Sequence, residues 1–121
     1  MKMKKSTCKN VEMIYRIMKE DDRKRILFFS PLAYAEDITR YLLALDSGVN
    51  PEEVDRHPIS LAVRSSCEIL GRWNLIIDPT PRQKLKDVLR KIQDAFLESP
   101  VDMIVIDGPS SVRNDKERKK Q

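Results

Sequence analysis

Met103, Ile104, Val105 and Ile106 run into Asp107, so a carboxylate closes an uninterrupted apolar stretch. Such a run reads as a fully buried parallel strand that delivers Asp107 to the carboxyl edge of a sheet. An aspartate at that edge can hold a magnesium ion, usually through water; it can equally serve as a loop capper. Other chemistries have less to work with. The single histidine, His57, stands beside Pro58 and reads as a loop residue, which argues against a histidine-based metal site or catalytic triad. Cys8 and Cys67 fit no metal-ligand spacing and no disulfide framework, so they read as reduced thiols of a cytoplasmic protein.

The elements that position Asp107 follow from apolar periodicity. Val11, Ile14, Tyr15, Ile17 and Met18 recur at helical spacing, which predicts a helix from Asn10 to about Glu20 with Asn10 as N-cap. Ile26 to Phe29 is a short apolar run halted by Ser30 and Pro31, a second buried strand. Ile38, Tyr41, Leu42 and Leu45 predict a helix over 34–47 closed by Gly48. Asn50 and Pro51 open a short helical turn. Residues 59–70 read as a helix with Leu61, Ala62, Ile69 and Leu70 on its apolar side.

The stretch 73–77 is a third strand with Trp73 as a core anchor, ended by Asp78, Pro79, Thr80 and Pro81. A helix follows with Leu85, Val88, Leu89, Ile92 and Phe96 on one stripe. Lys84, Lys86, Arg90 and Lys91 form its other side, read as a solvated surface rather than a DNA site. Three strands alternating with helices, none joined by a hairpin, predict an α/β fold: a parallel sheet with right-handed crossovers and helices on its faces.

A chain of 121 residues makes one domain with a modest core. With 40% hydrophobic and 35% charged residues it has a globular, soluble composition, and no stretch approaches the roughly 18 apolar residues of a membrane span. The basic start is followed by no apolar signal region. The net charge of +4 concentrates at the ends, in Lys2, Lys4, Lys5 and Lys9 and in Arg113, Lys116, Arg118, Lys119 and Lys120. Such tails can touch DNA, and they are also what a disordered, solvating tail over 113–121 looks like.

In their order and spacing, residues 26–112 resemble the ATPase domain of the replicative DNA helicases of the DnaB family, a RecA-like fold. Residues 27–30 and 35–49 are similar to the strand and helix that follow the family's phosphate-loop helix. Ile77 to Pro81 resembles its Ile-Asp-Asp-Thr-Pro, and Asp102 to Asp107 resembles its Walker B strand, whose Asp holds magnesium. Extended backward, the resemblance lays Ser6 to Val11 over the end of Walker A, Ser-Met-Gly-Lys-Thr-Ala. It then implies Lys9, Asn10 and Asp107 as the positions for ATP, with magnesium at Asp107, in a single truncated RecA-like domain over 1–112.

The matched positions depart from the family in one direction. Cys8 replaces the loop glycine and Asn10 the magnesium-ligating Thr, and no glycine precedes Gly48. A phosphate loop needs glycine so that successive backbone N–H groups can wrap the anion without a Cβ in the way. The strand that normally precedes that loop is not in the sequence. Leu32 stands where the family has the Glu that activates water, a loss worth about 10² to 10⁴ in rate. Gly108, Pro109 and Ser110 replace the Tyr-Leu-Gln that senses the γ phosphate, and Pro79 replaces the second Asp of Ile-Asp-Asp-Thr. The DNA-facing loops and arginine finger that follow Walker B in the family have no counterpart here.

The resemblance therefore implies descent and fold, and the departures argue against the activity. The expectation is a catalytically inactive helicase-like protein, with no catalytic residues, that works by self-association or by binding a replicative helicase. Two alternatives stand beside it. One is a nucleic-acid-binding module using the basic termini; the other is a residual binder of ATP and magnesium without hydrolysis. In the bland alternative Lys9 is a solvated lysine at a helix start. The first ten residues discriminate: a loop wrapped about an anion at Lys9 speaks for nucleotide, an extended tail against it.

Overall fold

The computed structural model describes residues 3–56 and 58–108. The fold is α/β, built on a three-stranded, all-parallel sheet in the order β2-β1-β3, with β1 at Arg25–Phe29, β2 at Asn74–Asp78 and β3 at Met103–Ile106. Helices α1 (Lys5–Glu20), α2 (Ala35–Ser47), α3 (Leu61–Leu70) and α4 (Leu85–Glu98) surround it. The arrangement is consistent with a partial RecA-like fold.

β1 lies between the other two strands, and all of its residues are buried. Its continuous apolar run is what a strand covered on both faces requires. Ile26 and Phe28 point to one face, where they pack with Val11, Ile14 and Met18 of α1 and Ile38 and Leu42 of α2. Leu27 and Phe29 point to the other and meet Val88, Ile92 and Ala95 of α4. α3 does not complete either layer. It packs Val63 against Ala44 of α2 and Val54, a satellite core beside the main one.

Local signals set most boundaries. Gly48 ends α2 at φ 76°, a left-handed conformation that glycine adopts without a Cβ penalty, and its N–H donates to the Ala44 carbonyl. Asn50 accepts from the Glu52 N–H and opens a single 3-10 turn at Pro51–Glu53. Ser60 caps α3 by accepting from the Val63 N–H.

Four expectations need correction. α1 begins a full turn before Asn10, so Asn10 sits inside the helix and is not its cap. α3 buries Val63 and Ser66, while Leu61, Ala62 and Ile69 of its expected apolar side are exposed. The α4 stripe splits: Val88 is buried and Ile92 half-buried, but Leu85, Leu89 and Phe96 face outward. β3 is not a fully buried strand, because it lies at the sheet edge and only Val105 is buried in it. Trp73 does serve the core, tilted against the Tyr15 ring at 5.9 Å between centroids.

Candidate functional site

The carboxyl edge of the sheet gathers the polar residues that the apolar strands deliver there. β3 brings Asp107, whose backbone N–H donates to the Phe29 carbonyl at 2.8 Å and extends the β1–β3 pairing by one residue. β1 brings Ser30, whose N–H donates to the Asp78 carbonyl at the end of β2. α1 approaches from the side. One helical turn separates Thr7 from Asn10 on the face that also carries Val11, Ile14 and Met18, so apolar burial of that face carries both polar side chains inward.

There they converge on one carboxylate. Thr7 Oγ1 donates to Asp107 Oδ2 at 2.6 Å, Ser30 Oγ to the same oxygen at 3.1 Å, and Asn10 Nδ2 to Oδ1 at 2.9 Å. Thr7, Ser30 and Asp107 are each 0% exposed. A buried carboxylate is tolerable only when donors replace its lost hydration, and this one has a donor on each oxygen.

Of the nucleotide positions implied by the resemblance, Asn10 and Asp107 come together and Lys9 does not join them. Lys9 is exposed and lines a hollow of about 510 Å³ with Glu12, Tyr15, Arg16 and Leu45, on a different side of α1 from Thr7. Residues 5–8, where a phosphate loop would wrap an anion, are helical. The hollow of about 370 Å³ at the ends of β1 and β2 is lined by Met3, Pro31, Leu32, Ala33, Tyr34, Asp37, Pro79 and Pro81. Among the described residues its lining offers a carboxylate and apolar surface, with no cationic side chain to meet a phosphate. The fit of the described residues to ATP and magnesium is poor on one ground: both oxygens of Asp107 are already taken up by internal donors, Thr7, Asn10 and Ser30. Among the described residues no group of three or more His, Cys, Asp or Glu side chains could hold a metal ion.

The β2 end of the same edge holds a second polar knot. Asp78 accepts from Lys91 Nζ at 2.8 Å, the Thr80 N–H at 3.0 Å and Gln83 Nε2 at 3.4 Å. Burial alone would raise its carboxyl, but the Lys91 and Thr80 hydrogen bonds and the Lys91 charge outweigh that and hold it below the ordinary carboxylate range. Gln83 is itself buried, and its Oε1 has no hydrogen-bond partner among the described residues. Arg82, just before it, adopts φ 55°, a conformation uncommon outside glycine.

Sequence reasoning missed Thr7 and Ser30 as partners of Asp107, and it missed Arg25. That arginine is buried, and its guanidinium donates to the Ala95 and Ser99 carbonyls at 2.6 Å each, so it caps the end of α4 from inside the fold. An arginine bordering an apolar strand was the available signal. Arg113, Lys116, Arg118, Lys119 and Lys120, expected to meet nucleic acid, lie outside the described residues, as does His57. Among the described residues no helix is long and apolar enough to cross a membrane. No protein-family model matches the sequence, and no curated protein is similar enough to count as a relative.

Proposed function

We propose that this chain is a catalytically inactive, helicase-like protein related to DNA replication that acts by protein interaction, through self-association or by binding a replicative helicase. One observation carries the reading. The carboxylate that would serve a magnesium ion in an ATPase of this fold accepts three internal hydrogen bonds, from Thr7, Asn10 and Ser30, and so is committed to holding α1 against the sheet. Leu32 in place of a catalytic glutamate and Lys9 on another side of α1 point the same way. The surface for interaction is supplied by the exposed apolar flank of α4. Cytoplasmic residence belongs to the same reading, supported by the free thiols Cys8 and Cys67.

ATP and magnesium titrated against the full chain, read by thermal unfolding, test it. The expected result is no rise in melting temperature in the wild type or in Lys9→Ala. A saturable rise that Lys9→Ala abolishes would overturn the non-catalytic reading in favour of residual nucleotide binding, because a ligand that binds only the folded state must stabilise it. Retention of a replicative helicase ring by the immobilised chain tests the partner.

A further inference from the structure

β1 and β2 lie side by side and parallel, but the chain leaves them toward opposite faces of the sheet. The turn after β1 leads to α2, which packs with Ile26 and Phe28; the turn after β2 leads to α4, which packs with Leu27 and Phe29. Where neighbouring parallel strands send their loops apart in this way, a crevice opens beyond their carboxyl ends, and open α/β sheets take up small ligands there. In this chain the crevice is the hollow of about 370 Å³ at the ends of β1 and β2, a size suited to a small molecule. Pro31, Leu32 and Tyr34 form one wall, Pro79 and Pro81 the other, and Met3 borders both.

We propose that this crevice binds a small molecule whose apolar or aromatic body carries an ammonium group, with the body between the proline walls and the ammonium at Asp37. The walls are poor in donors. Pro31, Pro79 and Pro81 have no backbone N–H. The Thr80 N–H is taken by Asp78, and Ser30 gives its N–H to the Asp78 carbonyl and its hydroxyl to Asp107. The side chains that line the crevice bring one carboxylate, Asp37, and no cation, so charge complementarity asks the ligand for a positive donor. Asp37 is partly exposed, and Arg40 reaches its Oδ1 at 3.0 Å with one nitrogen while the other reaches Asp55 at 3.1 Å. One guanidinium thus serves two carboxylates and leaves the group negative. Glu36 and Asp37 in the first turn of α2 offset the positive end of that helix. Tyr34 stands one turn before Asp37, whose N–H donates to the Tyr34 carbonyl, and Tyr34 is 78% exposed. An ammonium at Asp37 therefore lies within reach of the Tyr34 ring, where cation–π attraction adds to the ion pair. The proposal is independent of the interaction reading, since it involves neither the α4 flank nor Lys9 and Asp107.

Phenethylamine titrated into the full chain at neutral pH, followed by amide and methionine-methyl NMR shifts, tests it. Phenethyl alcohol and phenylpropionate serve as neutral and anionic bodies of similar shape. The expected result is saturable binding of the amine, with shifts centred on Met3, residues 32–34 and Asp37. The alcohol should bind about fivefold more weakly, the usual gap between a charge-assisted and a neutral hydrogen bond, and phenylpropionate more weakly still. Asp37→Asn should weaken the amine by about the same fivefold and leave the alcohol unchanged. Tyr34→Ala should weaken the amine by about threefold. The amide spectrum of each variant establishes that it is folded; if Asp37→Asn is not, the ranking of the three ligands on the wild type and on Tyr34→Ala decides alone. Absence of saturable binding overturns the proposal. Equal binding of the three ligands, shifts centred elsewhere, or undiminished affinity in a folded Asp37→Asn overturn it as well.

Discussion

Thr7 and Asp107, a hundred residues apart in the chain, share a 2.6 Å hydrogen bond with both residues fully buried. The first turn of α1 is thereby tied to the end of β3. Asp107→Ala leaves the Thr7, Asn10 and Ser30 donors without their acceptor, and the expected loss of stability is about 3 kcal/mol, since each unsatisfied buried donor costs about 1–3 kcal/mol before relaxation. Thr7→Val should cost about 1–2 kcal/mol. Urea midpoints at an unchanged slope measure both. The double variant should be less destabilised than the two single losses added, by about 1 kcal/mol or more, if the two residues act through one bond.

Asp46 and Tyr15 give stability a pH dependence on two sides. Tyr15 Oη donates to Asp46 Oδ1 at 2.9 Å, and Lys19 Nζ reaches the same oxygen at 3.1 Å. Burial would raise the Asp46 carboxyl, but hydrogen bonds from Ser66, Tyr15 and Lys19 outweigh it and leave it low. Burial and then the Asp46 bond and charge push the Tyr15 hydroxyl up to about 12. The Asp46 contribution is present above its ordinary 3.8 and is lost as pH falls through the lowered folded value. The Tyr15 contribution is present below 10.0 and is lost as pH rises toward about 12. Tyr15→Phe should therefore shrink its stability deficit against the wild type as pH climbs through that window, as read by urea unfolding, and should remove only Tyr15's share of the late tyrosinate absorbance, since burial raises Tyr41 as well.

Arg25 holds the end of α4 through two carbonyls, while its ion pair with Glu98 ends on a carboxylate that is largely in water. Arg25→Ala should cost about 3 kcal/mol, because it removes charge-assisted bonds from buried ground. Glu98→Ala should stay within about 0.5 kcal/mol. Arg25→Lys should restore part of the loss, since both carbonyls accept from Nη1 alone, a role that one ammonium nitrogen can share, while the Nη2 contact with Glu98 is given up. Amide exchange in the last turn of α4 should quicken in Arg25→Ala before the rest of the chain responds.

Two glycines separate conformational from steric cost. A Cβ on Gly48 would meet nothing within 4 Å, so Gly48→Ala should lose about 1 kcal/mol from its left-handed φ alone. On Gly71 the Cβ would stand 2.9 Å from the Cys67 carbonyl oxygen, with φ −63° itself ordinary. Gly71→Ala should therefore lose stability through a forced shift at the end of α3. Gly48→Asn should recover part of the Gly48→Ala loss, as asparagine tolerates that region, whereas Gly71→Asn should not improve on Gly71→Ala. Thermal unfolding of the four variants distinguishes the causes.

Patterns confined to neighbouring residues were legible in the sequence. The run Ile26 to Phe29 identified a buried strand, but the equally apolar run Met103 to Ile106 lies at the sheet edge, so continuity alone did not tell centre from edge. Gly48 marked the end of α2, and Asn50 with Pro51 marked the 3-10 turn, since each acts on backbone within a few residues. Alternation of strands and helices without hairpins determined the α/β class and the parallel sheet, because a parallel partner requires a crossover.

What only the tertiary structure decided involves partners far away in the chain. α1 begins at Lys5 rather than Asn10 because the extra turn is stabilised by the Thr7 bond to Asp107, which no window around residue 7 contains. The resemblance set Lys9 and Asn10 side by side as nucleotide positions, but successive helical residues diverge by about 100°, so Asn10 turns to Asp107 and Lys9 turns away. The wide apolar stripe of α4 was legible, but not which side of it the sheet would cover; Leu27 and Phe29 select Val88, Ile92 and Ala95 and leave Leu85, Leu89 and Phe96 outside. Local sequence determines which backbone forms, because propensity and turn chemistry are short-ranged. The use made of a polar or apolar side chain is decided by whatever the fold brings against it.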